Sequence, residues 1–146
     1  MSSVTFMVAT DESGVSVFDW AVISKTGVTQ EQLTATFGDK VEFLTVTFRQ
    51  PTYAMEQSVT RGCLVENTLL PGAFRLDETL IPVKRFTAFV KEWTRSAKIS
   101  DDAFMELQPP LAGAITEAIN RVLYPNTSPD FLTALNSLTA DTTNQG

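Results

Sequence analysis

Apolar residues recur with a period of two over much of the first two-thirds of the chain and with a helical period towards its end. Val4 to Ala9 is β-prone, Asp11-Glu12-Ser13-Gly14 supplies turn chemistry, and Val15 to Ala21 resumes the alternation, which predicts an N-terminal hairpin. Thr26 to Glu31 is polar and suits either a short helical turn or a loop, and Leu33 to Phe37 offers a third, weaker strand. Val41 to Gln50 predicts a stronger one, with Leu44, Val46 and Phe48 on one face and Phe43, Thr45, Thr47 and Arg49 on the other. Pro51 ends it, and Gln57 to Leu64 is the expected partner strand, although Gly62 weakens it. Leu69 to Glu78 joins a Pro-Gly turn to apolar residues that a loop cannot bury by itself. From Ile81 to Ile99 the pattern predicts a long strand. Phe86, Ala88 and Val90 would face one way, and Arg85, Thr87, Phe89, Lys91, Trp93 and Arg95 the other.

The period then changes. Ser100 is a good N-cap, Asp101 and Asp102 suit the positive end of a helix, and Pro109-Pro110 must kink or interrupt that helix. Leu111, Ala112, Ala114, Ile115, Ala118, Ile119, Val122 and Leu123 recur at helical spacing and form the clearest helix in the sequence. Tyr124-Pro125-Asn126 stops it, Ser128 caps a second, and Pro129 takes the first position ahead of a Phe131, Leu132, Leu135 and Leu138 stripe. The expectation is an α+β fold: an antiparallel sheet with an N-terminal hairpin over 1–99, two C-terminal helices over 100–139 and a polar tail over 140–146, in one domain spanning 1–146.

Composition narrows the chemistry. The 146 residues include no histidine and one cysteine, Cys63, so Ser-His-Asp and Cys-His nucleophiles, disulfide frameworks and multi-thiolate metal sites are excluded. Carboxylate-only glycoside or Mg²⁺ chemistry stays open, but the expectation is a protein without catalytic function, cofactor, metal or small-molecule substrate. The apolar runs fall far short of a membrane span, and the N-terminus lacks a basic, then apolar, signal pattern.

The net charge of −6 is unevenly spread. Two bases against six acids give residues 1–48 a charge of −4, eight against five give 49–98 a charge of +3, and one against six gives 99–146 a charge of −5. The predicted face Arg85, Thr87, Phe89, Lys91, Trp93, Arg95 lies in the basic middle. Alternating cations and rings would suit single-stranded RNA, and they equally suit a half-buried strand whose rings are core and whose cations snorkel. Asp101-Asp102 reads as helix capping before metal binding, and Cys63 as a small buried hydrophobe. The Ile115/Ile119/Val122 and Phe131/Leu135/Leu138 stripes would pack either on their own sheet or on a partner's.

The order of these elements resembles the coat proteins of single-stranded RNA bacteriophages. The resemblance rests on the strand ending Leu44-Thr45-Val46-Thr47-Phe48-Arg49-Gln50-Pro51 and on the ending in which Ala114 to Leu123 is followed by Pro125 to Ser128 and a second helix. It implies a homodimer that closes an icosahedral shell around single-stranded RNA, a virion assembled in the host bacterial cytoplasm, and possible repression of replicase translation through an RNA hairpin. On that likeness Thr45, Thr47, Arg49, Arg61, Thr87, Phe89 and Lys91 would face RNA, with Arg85, Trp93 and Arg95 extending the surface. Ile115, Ile119, Val122, Leu123, Phe131 and Leu135 would form the dimer interface, and Leu70, Pro71, Gly72 and Phe74 the contact between dimers. Another phage or viral structural subunit assembling without RNA, or a small monomeric binding domain, is the alternative.

Overall fold

The computed structural model describes residues 2–125; the Phe131 and Leu135 stripe lies outside them. Strand β1 (Ser3–Asp11) turns through Asp11, whose Oδ1 accepts from the backbone of Ser13 and Gly14, into antiparallel β2 (Gly14–Asp19). Two short helices, α1 (Trp20–Ile23) and α2 (Gln30–Phe37), carry the chain to β3 (Val41–Phe48), which pairs with the other edge of β1. Helix α3 (Tyr53–Gly62) leads to a small separate ladder of β4 (Leu64–Glu66) and β5 (Phe74–Leu76). Helix α4 (Ile81–Phe89) runs directly into β6 (Val90–Trp93), the far edge strand, and α5 (Asp101–Met105) and α6 (Pro109–Leu123) come after it. The main sheet has the order β2-β1-β3-β6.

This is a small α+β domain, but its six helices are dispersed along the described residues and its strands form two sheets. The expectation of one sheet followed by two C-terminal helices is therefore corrected, and so is the likeness to the RNA-phage coat fold. Three expected strands are helices, each for a local reason. In 30–37, Thr29 and Gln32 form a reciprocal capping box, and Gly38 takes a positive φ of 61° where the helix stops. In 53–62, Thr52 caps the backbone of Met55, and Met55, Val59 and Cys63 recur every four residues as one inward stripe.

In 81–89, Pro82 sits in the first turn, where its missing N–H costs nothing. Val83, Phe86 and Phe89 fall three apart and are all buried. The alternation of Arg85, Phe86, Thr87 and Ala88 fits a strand equally well, and the three-residue spacing of the large apolar groups prevails because it is the one that buries them.

The core lies on one face of the sheet. Phe6 and Val8 from β1, Leu44, Val46 and Phe48 from β3, and Val90 from β6 meet Val83, Phe86 and Phe89 of α4 and Leu111, Ile115, Ala118 and Ile119 of α6. Phe86 stacks obliquely on both Trp93 and Phe104, with ring centroids 5.3 and 5.2 Å apart. Helix α6 packs beside α4 and against β2. The expected dimer residues Ile115 and Ile119 are 0% and 1% exposed within the single chain, and Val122 and Leu123 pack partly buried against the same cluster. Within the single chain these side chains belong to its own core. Nor is any described helix long and apolar enough to cross a membrane.

Candidate functional site

The residues expected to form one basic aromatic face do not all share a surface: Arg85, Thr87 and Phe89 lie on α4, whose successive residues are about 100° apart around its axis, while Arg95 lies over the Trp93 ring beyond it. Arg85 is tied to Glu56, with Nε 3.0 Å from Oε1, and also donates to Asn120 and lies over the Tyr124 ring. Thr87 donates to Asp101, which also accepts from Lys84. Phe89 is core, 1% exposed. Trp93 packs on Phe86 and donates its indole N–H to the Ala97 carbonyl, and Arg95 pairs with Glu42. Lys91 is exposed at the irregularity between the Thr47–Glu92 and Phe48–Val90 pairs.

Thr45 and Thr47 lie on the face of β3 opposite the core. The Thr45 hydroxyl shares a 2.8 Å hydrogen bond with that of Thr5, and its backbone N–H donates to Thr94 Oγ1. Arg49 is exposed just past the strand, and its backbone N–H donates to the Phe89 carbonyl. Arg61 is exposed on the last turn of α3.

Every resolved pKa displacement has an architectural cause. Asp11 is held low by Ser13 and Asp77 by Thr79, each a local turn closure. Hydrogen bonds from Lys84 and then Thr87 hold Asp101 low, and pairing with Glu42 raises Arg95. Burial pushes the Cys63 thiol up, making it a poor nucleophile. Among the described residues no group of three or more carboxylates or thiols converges as a metal site.

The surface feature that local physics leaves unexplained is the β4–β5 hairpin. Leu64 stands opposite Leu76 and Phe74 lies diagonally next to them on the same side of the ribbon, while Leu69 and Leu70 occupy its tip. Leu69 is 87% exposed, Phe74 68% and Leu70 61%. The tip is not loosely built. Asn67 Oδ1 accepts from the Leu69 N–H, backbone bonds run from Leu70 to Asn67 and from Ala73 to Leu70, and Gly72 supplies the positive φ of 85° that the turn requires.

At the base, the Asp77 N–H donates to the Cys63 carbonyl at 2.8 Å and extends the ladder into the body of the domain. Leu70, Pro71, Gly72 and Phe74, expected from sequence as contact residues, are all in this element. The added members Leu64, Leu69 and Leu76 are legible as apolar residues, but not as one surface, because Gln57 to Leu64 reads as a strand.

A second feature is a cleft of about 660 Å³ between α3 and the end of α6, lined by Pro51, Tyr53, Gln57, Arg61, Leu123 and Tyr124 among others. Tyr53 and Tyr124 are 79% and 51% exposed there. No family model, curated protein or solved structure matches this chain. With dispersed helices and two sheets, the topology of the described residues does not match the architecture required for an RNA-packaging dimer and shell, and capsid, virion and bacteriophage identity is set aside.

Proposed function

We propose that this chain is a non-catalytic interaction domain that associates with a second copy of itself through the Leu64–Leu76 hairpin. The observation that carries the reading is the outward presentation of Leu64, Leu69, Leu70, Phe74 and Leu76 on a hydrogen-bonded ribbon. Contiguous apolar surface of this kind marks a contact site, and a two-stranded ribbon is marginal in water unless something packs on it. A second copy fits for two reasons. The ribbon pairs only with itself, so its outer edges can extend the ladder across a twofold axis. It also carries one charge of each sign, Glu66 and Arg75, so two copies meet without net repulsion.

Sedimentation across a wide concentration range tests this. Wild-type protein should associate reversibly, and the double variant Leu70→Ser with Phe74→Ser should remain monomeric with an unchanged circular dichroism spectrum, since both side chains are exposed. A wild-type monomer at every concentration, or association that survives the double substitution, overturns the reading.

A further inference from the structure

The hydrogen bonds that prolong the β4–β5 ladder determine which backbone groups of the ribbon face outwards. The Asp77 N–H donates to the Cys63 carbonyl and the Asn67 N–H to the Ala73 carbonyl, both at 2.8 Å, on either side of the Val65–Arg75 pair. Bonded and non-bonded pairs alternate along an antiparallel ladder, so Val65 and Arg75 bond to each other, and the N–H and C=O groups of Phe74 and Leu76 point away from β4. All three residues of β5 are exposed, whereas Val65 of β4 is half-buried. Among the described residues no third strand pairs with this ribbon.

Resting on the self-association proposed above, we infer that two copies join antiparallel through the outer edge of β5, with Phe74 of each opposite the partner's Leu76 and Arg75 on the twofold axis. Only this register pairs both outward-facing residues of the strand. Setting Phe74 against its own copy would oppose Leu76 to Gly72, which has the positive φ of the turn, and setting Leu76 against its own copy would oppose Phe74 to Glu78 in the short helical turn Glu78–Leu80. Joining through β4 instead would oppose Leu64 to the Glu66 carboxylate. In the β5 register, Leu64, Leu76 and Phe74 of both copies make one unbroken apolar strip on a four-stranded ribbon, with aromatic and aliphatic side chains directly opposed. On the reverse face each Arg75 lies two residues from its own Asp77 and diagonal to the partner's Asp77, so two cations and two carboxylates alternate and cancel.

Single cysteines in the full chain test the register, with disulfide formation followed under mild oxidation and association followed in parallel by sedimentation under reducing conditions. A non-bonded pair on the axis brings its two Cα atoms to about 4.5 Å, within disulfide reach. Arg75→Cys should therefore form a covalent dimer many-fold faster than Glu12→Cys, an exposed position on the β1–β2 turn, and adding Phe74→Ser should remove that advantage. The buried Cys63 should stay unreactive. Preferential linkage through Val65→Cys would place the axis at β4, and association without preferential linkage at Arg75→Cys would mean that the apolar faces stack without joining edges; either result overturns the inference and leaves self-association standing. A wild-type chain that stays monomeric at every concentration would overturn both.

Discussion

Arg95 holds Glu42 by two parallel hydrogen bonds, Nε to Oε2 at 2.9 Å and Nη2 to Oε1 at 2.7 Å, joining the segment after β6 to the start of β3. A planar guanidinium meets a carboxylate in its preferred geometry, which an ammonium cannot reproduce. Both side chains are about one-third exposed or more, so solvent screening limits the pair. Arg95→Lys should lower unfolding free energy by about 0.5 kcal/mol, and a double-mutant cycle with Glu42→Gln should give a coupling of up to about 1 kcal/mol in urea titrations. Strictly additive single effects would show that the contact contributes nothing.

Two positions on α6 should respond in opposite directions. Ile115 is fully buried, so Ile115→Ala should cost about 2–5 kcal/mol through lost contacts and a residual cavity. Gly113 is exposed, and a methyl group there would meet nothing within 4 Å, so Gly113→Ala should stabilise the helix by about 0.5–1 kcal/mol. Thermal or urea unfolding of both variants checks the pair, and an equal response at the two sites would contradict the assigned burial.

Asp101 links α5 to α4 through Lys84 and Thr87, and these hydrogen bonds hold its pKa below the ordinary 3.8. A carboxyl depressed in the folded state contributes stability that is fully present above its unfolded pKa and is lost as pH falls through the lower, folded value. Asp101→Asn should therefore be less stable than wild type at neutral pH, by about 1 kcal/mol after allowance for partial exposure. The difference should shrink once pH drops below about 4. Urea midpoints measured from pH 7 down to pH 2 would reveal it; a pH-independent difference would assign the effect to shape instead of charge.

The Cys63 side chain is sealed beneath α3 and α4, and its thiol pKa is raised by burial. Native protein should react with a maleimide only as fast as it opens, and full labelling should appear in denaturant. Prompt native labelling would mean that α3 lifts readily from the core.

Legibility from the residues alone divides along local ambiguity. The turn at Asp11–Gly14 and the long apolar periodicity of α6 are strong single signals, and the chain pairs and coils there as its pattern indicates. Segments 30–37, 53–62 and 81–89 each mix β-prone residues with a helical spacing of their large side chains. In the last two the side chains Val59 and Phe86 are buried by helical geometry, and in the first Leu33 is half-buried. Alternation between Arg85 and Arg95 suggests a single surface, yet it crosses a helix-to-strand junction at Phe89–Val90 that no one period can describe. The apolar loop after Leu69 is legible as exposed apolar surface because its residues lack any amphipathic rhythm that could hide them. The cleft at Tyr53 is not visible, since it depends on how α3 meets the end of α6.

That junction between α4 and β6 has a mechanical side. Val90 is both the residue that ends the helix and the first rung of the edge strand, and the Phe89 carbonyl immediately before it accepts the N–H of Arg49. With no slack between coil and ribbon, tension applied to the sheet's margin is delivered straight into the last turn of α4, and the two must yield together as one hinge-free lever.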